Sequence, residues 1–420
     1  MTKVFPPLRL SVTLAATLLL GCRIAVAAEP AGDDASPRWS FGGYGTLGVV
    51  HSSEDGADFT ANVVNPGDAG HSRAWSPAVD SRIGMQLGVQ LDSQWSAVVQ
   101  LVSERRLQGG YKPQFEWANI KYQATPDLSV RLGRIALPMF LTGDYRKAGY
   151  ALPWVRPPVE LYGAIPISNS DGVDASYRWR AGDANNVTQV FFGRTDISIS
   201  STARAQARSL TGLSNITTAG ALTLRASFLT TVLSVGLARE LFDGLRMFGP
   251  QGAALAERYE VNAKRADVGS LGFNYDPGEW FFMGEIGRMN ARSYLGDKTA
   301  AYLSAGYRVH DFTPYLAYSA VRANTAIHVD GLDLAALPPQ LAVPAAQLNA
   351  GLNQLLATIS HQRSITAGVR WDLHPNYALK LQYDRITPQR GSNGTFINVQ
   401  PEFRSGRPVT VLSAALDFVF

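Results

Sequence analysis

From residue 29 to the C-terminus, polar and apolar side chains alternate with a period of two, most plainly in Arg82-Ile83-Gly84-Met85-Gln86-Leu87-Gly88-Val89-Gln90 and in Tyr377-Ala378-Leu379-Lys380-Leu381-Gln382-Tyr383-Asp384. Such alternation puts successive side chains on opposite faces of a β-strand, and a helix would scramble it. After residue 28 the chain has no apolar run of the ~18 residues that a membrane-crossing helix needs. If the chain sits in a membrane it must close into a barrel, because in lipid only a helix or a closed sheet pairs every backbone N–H and C=O.

The same pattern marks sixteen strands, near 39–50, 81–91, 95–106, 115–123, 127–135, 170–179, 186–196, 209–218, 221–231, 266–275, 279–290, 299–309, 312–322, 362–372, 376–386 and 408–420. Short spacers (Asp92-Ser93-Gln94, Ala124-Thr125-Pro126, 180–185, Ala219-Gly220, Asp276-Pro277-Gly278, His310-Asp311, Leu373-His374-Pro375) alternate without exception with longer ones. The expected fold is all-β: a transmembrane antiparallel up-and-down β-barrel with short periplasmic turns and long external loops. An even strand count returns both ends to the periplasmic side. Trp39, Trp95, Trp179, Trp280 and Trp371 fall beside short turns or the N-terminus, as an interfacial girdle requires, whereas Trp75, Trp117 and Trp154 lie toward the long loops. A soluble sandwich with a buried tryptophan core gives no reason for this sorting.

Residues 1–28 carry Lys3 and Arg9, an apolar run from Leu10 to Leu20, and Ala25-Val26-Ala27, the pattern of a cleaved export signal. Leu19-Leu20-Gly21-Cys22 also fits a lipoprotein cleavage site, so two processing positions stay open. Residues 29–38 are then a short periplasmic segment and 39–420 the barrel. One Cys excludes a disulfide scaffold. Lys plus Arg at 38 against Asp plus Glu at 34 is too even for a nucleic-acid partner. Gly43-Tyr44-Gly45-Thr46-Leu47-Gly48 fits GxGxxG, but the following helix that would hold a pyrophosphate is missing, so these glycines are read as close-packing positions of the first strand. The histidines at 51, 71, 310, 328, 361 and 374 lie in expected turns or loops without metal or catalytic spacing, and no cofactor is expected. A barrel enzyme and an occluded structural or adhesive barrel are the alternatives.

The last segment, Val411-Leu412-Ser413-Ala414-Ala415-Leu416-Asp417-Phe418-Val419-Phe420, alternates and stops on an aromatic residue. In this ending, in strand number and in loop asymmetry the chain resembles the sixteen-stranded porins of Gram-negative outer membranes, which include general diffusion, DcaP-like and phosphate-selective porins. The resemblance implies a homotrimer of barrels embedded in outer-membrane lipid, each with a water-filled channel for passive diffusion of small hydrophilic solutes. It also implies a third external loop folded into the lumen. The spacer 136–169 takes that place, and its prolines stiffen it. It lacks the acidic Pro-Glu-Phe-Gly-Gly signature of some general porins, which counts against a cation-selective constriction.

Parity then sorts the charges. The inward cations are Arg82, Lys121, Arg131, Arg178, Arg225, Arg308, Arg370 and Lys380, against the acids Asp174, Glu285, Asp372, Asp384 and Asp417, a modest bias toward anionic solutes. The expected constriction combines the mid-strand Arg131 and Arg225 with Arg146, Lys147 and Arg156 of the third loop. Asp144 and Glu160 are positioned to neutralise the loop cations, and Arg82 and Lys380 complete the set. For each cation the competing role is to anchor wall or loop through a neighbouring carboxylate. Loops 232–265 and 323–361 carry helical patterns, with Leu348, Leu352, Leu355, Leu356 and Ile359 on one face and Gly351 as its flaw. They are read as a lid, or as packing against the rim.

Overall fold

Every strand marked by the alternation forms in the computed structural model, which describes residues 37–199 and 203–420; the expected export signal, 1–28, and residues 29–36 lie outside the described residues. In chain order the strands are β1 (Arg38–Ser52), β2 (Arg82–Gln90), β3 (Trp95–Glu104), β4 (Gln114–Gln123), β5 (Leu128–Ala136), β6 (Asn169–Ala181), β7 (Ala184–Ser198) and β8 (Arg204–Ala219). They continue as β9 (Leu222–Val235), β10 (Lys264–Tyr275), β11 (Trp280–Asn290), β12 (Lys298–Tyr307), β13 (Phe312–Ala323), β14 (Gln362–His374), β15 (Tyr377–Pro388) and β16 (Val409–Val419). Each pairs antiparallel with its chain neighbours, and β16 returns to β1 with a register running from Tyr44↔Val419 to Ser52↔Val411. A two-residue strand, Trp75–Ser76, adds to β1 inside the first external loop. No helix among the described residues is long and apolar enough to cross a membrane; crossing falls to the strands, and closure removes every sheet edge.

The wall is apolar outside and polar inside. Leu47, Leu132, Leu271 and Leu316 are 62–66% exposed on the outer face. The five tryptophans at the periplasmic ends are exposed there as well. Trp154 departs from the girdle: it is buried in the lumen and donates its indole N–H to Ser304 Oγ at 2.9 Å.

The seam between first and last strands explains the glycines of the Gly43–Gly48 segment. Gly43 N–H donates to the Phe420 carbonyl at 2.8 Å, and Phe420 N–H donates to the Gly43 carbonyl at 3.0 Å. A Cβ on Gly43 would run into the Phe420 ring and the Gly84 carbonyl, and one on Gly45 into the Phe418 ring. Overpacking costs about 1–3 kcal/mol, so Gly43→Val is expected to lower the urea midpoint of barrel unfolding. An unchanged midpoint would show that the seam is loosely packed.

One part of the loop pattern is corrected. The fourth external spacer, expected over 197–208, shrinks to 199–203 because β7 and β8 stay paired beyond their expected ends, as far as Ser198↔Arg204. The ladder passes an irregularity at Arg208–Thr211, where Ser209 takes φ 51°. In the long loops the helical patterns become α2 (Arg239–Arg246), α3 (Gly249–Tyr259) and α4 (Pro339–Leu356), after a single-turn α1 (Val159–Tyr162) in the third loop. Phe242, Leu245, Leu352, Leu356 and Ile359 are buried together in a cap at the rim. Gly351 packs closely against α2: a Cβ there would meet Leu241 at 3.2 Å.

Candidate constriction and lumen wall

The third external loop, residues 137–168, lies inside the barrel. Leu137, Met139, Phe140, Leu141, Leu152, Trp154, Leu161 and Tyr162 bury themselves against inward side chains of β7 to β13, including Phe191, Leu210, Val268, Met283, Tyr302 and Tyr315. A lumen of this width is lined by polar groups on most of its wall; here one side is apolar because the loop's own apolar residues cover it.

Polar contacts pin the loop at intervals along its length. Leu141 N–H donates to both carboxylate oxygens of Glu285 at 3.0 Å, and the Tyr162 hydroxyl donates to the same carboxylate at 3.2 Å. Asp144 pairs with Arg225 of β9 at 2.8 Å. Lys147 reaches Glu104 of β3 and Glu116 of β4, each at 2.7 Å. Arg370 of β14 donates to the Tyr150 and Leu152 carbonyls at 2.6 and 3.1 Å. Lys380 of β15 donates to the Gly149 and Trp154 carbonyls at 2.7 and 2.9 Å and pairs with Asp417 of β16 at 2.7 Å.

Arg156 is the most heavily tied cation. Its guanidinium pairs with Asp80, at the end of the first external loop, at 2.6 Å, and with Asp384 of β15 at 3.2 Å, and donates to Ser413 of β16 at 2.6 Å. Burial opposes its charge, but Asp80 and Asp384 outweigh burial and lift its pKa above the ordinary arginine value. Glu160 is buried and has no ion pair among the described residues. It accepts hydrogen bonds from Ser319 at 2.7 Å, Gln362 at 2.6 Å and Ser364. Arg146 stays within the loop, donating to the Ile165 and Pro166 carbonyls at 3.1 and 3.3 Å. Burial pulls its pKa down, against the pull of Glu116 and Glu104.

Of the expected constriction residues, then, Arg225, Arg156, Lys147, Lys380, Asp144 and Glu160 are engaged in holding the loop to the wall. Arg225, Arg156 and Lys380 are 3%, 4% and 0% exposed, so solvent scarcely reaches them. Glu104 and Glu116, the wall partners of Lys147, were not among the expected acids: Glu104 closes β3 at its external end, and Glu116 is the extra residue of β4 where the pairing passes from Gln100↔Trp117 to Leu101↔Phe115, which breaks simple parity.

A second group of cations remains in contact with solvent. Arg82 of β2, Lys121 of β4, Arg131 of β5 and Arg178 of β6 are all half-buried on the inner face. Lys121 stands directly across from Arg131, and Arg131 across from Asp174. The Asp174 carboxylate is occupied: Arg131 holds it with Nε at 3.0 Å and Nη2 at 2.6 Å, and Gln189 donates at 2.8 Å. Lys121 and Arg178 have no ion pair among the described residues, so this wall is left with excess positive charge.

A closed sixteen-strand barrel with an apolar exterior, a charged interior and an inserted loop is a membrane channel by architecture. Residues 12–390 match the Gram-negative porin family, to which the chain belongs. It is an outer-membrane channel protein. No curated protein matches it. Solved structures of similar fold include the anion-selective porin of Comamonas acidovorans (14% identity, TM-score 0.53, covering 92% of this chain and 100% of that one). Others are the outer-membrane channel DcaP of Acinetobacter baumannii (12%, 0.52, 94% and 100%) and Salmonella typhi OmpF in complex with daunomycin (12%, 0.51, 92% and 98%). At these identities the likeness is one of fold.

Proposed function

We propose that the protein passes small hydrophilic solutes passively across the outer membrane, with a preference for anions set on the β2–β6 side of the lumen. The observation that carries this reading is the inner-wall group Lys121, Arg131 and Arg178, whose neighbouring acid, Asp174, is already taken by Arg131 and Gln189; Arg82 stands across from Glu104, whose carboxylate is held by Lys147. Field lines from these charges are confined to a narrow water column between low-dielectric walls, which raises the local anion concentration. Loop 137–168 sets the radius, and its anchors Arg156, Arg225, Lys147 and Lys380 keep it in place. The anion-selective porin among the fold neighbours is consistent with this reading.

The working unit we propose is a homotrimer. The outer faces of β1–β4 support it: among their outward residues are Leu47, Val49, Ile83, Met85, Leu87, Val99, Leu101, Phe115 and Ile120, all exposed and apolar, and no charged side chain faces outward there.

Liposome swelling tests the transport reading. Vesicles carrying the folded protein are expected to swell in small neutral sugars and faster in the salts of small organic acids. Vesicles that stay osmotically inert in both would favour the occluded barrel.

A further inference from the structure

The outer wall carries a charge pattern that transport does not use. Arg288 of β11, Arg322 of β13, Arg363 of β14 and Arg385 of β15 face outward and are exposed at the loop-bearing ends of their strands. Register makes them a row: Arg288 and Arg322 both stand across from Thr299 of β12, Arg363 across from Ala320 of β13, and Arg385 across from Ile365 of β14. With strands ~4.8 Å apart, consecutive members lie within reach of one bound headgroup. On the same face, toward the periplasm, come Ile286, Tyr318, Ile365 and Tyr383, all exposed and belonging to the apolar band. None of the four arginines is in an ion pair among the described residues; Arg288 donates only to the Asn290 side chain, at 3.3 Å. At this level β1–β4 present Val49, Ile83, Leu101 and Phe115 instead.

A guanidinium at the edge of a lipid-facing band is costly unless an anion meets it, and its fork geometry suits phosphate. We propose that this row docks the phosphates of the outer-leaflet glycolipid, with the lipid's acyl chains lying on the apolar band below. The band favours a membrane lipid over a free anion, because a dissolved phosphate has no use for Ile286 or Tyr383. The row is confined to the external ends, so the contact is specific to one leaflet.

The test is binding of diphosphoryl lipid A to the purified, folded protein in detergent, compared with fully dephosphorylated lipid A. The R288Q/R322Q/R363Q/R385Q variant and the milder R322Q/R363Q variant are tested alongside, each first confirmed as folded by heat-shifted gel migration. The wild type is expected to hold the diphosphoryl form at least about tenfold more tightly than the quadruple variant does, with the double variant between them and added salt weakening the contact. Equal binding of phosphorylated and dephosphorylated lipid would overturn the proposal, as would affinity unchanged in the folded variants. Displacement of the lipid by equimolar inorganic phosphate would also overturn it, by reducing the row to a free-anion site.

Discussion

Arg156→Met is expected to give the largest loss of stability of any single change in the lumen, together with a wider and noisier channel. The substitution leaves the Asp80 and Asp384 carboxylates buried and unpaired, with Asp384 only 6% exposed and Asp80 1%. Breaking a buried ion pair on one side costs about 3–5 kcal/mol. The urea midpoint should fall accordingly, and single-channel records should show higher and more variable conductance, because Arg156 joins the loop to the first external loop, β15 and β16 at once. Adding Asp80→Asn and Asp384→Asn should restore much of the stability without restoring the quiet channel. If Arg156→Met kept both the midpoint and the conductance of the wild type, the loop would be held by its apolar packing alone.

The second large effect concerns selectivity. Lys121→Glu combined with Arg178→Glu is expected to turn an anion-leaning channel into a cation-leaning one with little change in stability, since neither side chain is in an ion pair among the described residues. A unit charge ~5 Å from a permeating ion in water is worth about 0.8 kcal/mol. Reversing two such charges should therefore move the anion-to-cation permeability ratio by at least about tenfold. The shift should shrink in concentrated salt. Arg225→Glu provides the contrast. It sets a carboxylate beside Asp144 in a buried site, so it should impair folding before it alters selectivity. A reversal potential unaffected by the Lys121/Arg178 pair would remove the β2–β6 wall from the mechanism.

The architecture was legible because a two-residue period reports which face each side chain takes, and all sixteen strands lie where the alternation marks them. The place of the third loop was legible too, from its order among the spacers. Its contacts were not. Arg156 meets Asp80, Asp384 and Ser413 from remote parts of the chain, and Lys147 meets Glu104 and Glu116. Parity says that Arg225 points inward but not that a loop lies on top of it. Lys121 and Arg178 were recognised as inward and left out of the expected constriction for the same reason: without the loop's position, depth along the strand is a poor guide to which cations keep their water. The shortened fourth external connection escaped notice because β7 and β8 continue their ladder through an irregular stretch where the alternation breaks.

The most direct test of the account is the zero-current potential of the wild-type protein in a planar bilayer separating dilute from concentrated potassium chloride. A water-filled channel with uncompensated cations on its inner wall predicts discrete conductance steps and a potential displaced toward the chloride equilibrium value, the more so at lower salt. A potential at zero or on the potassium side, or a membrane that stays silent with folded protein inserted, would contradict it.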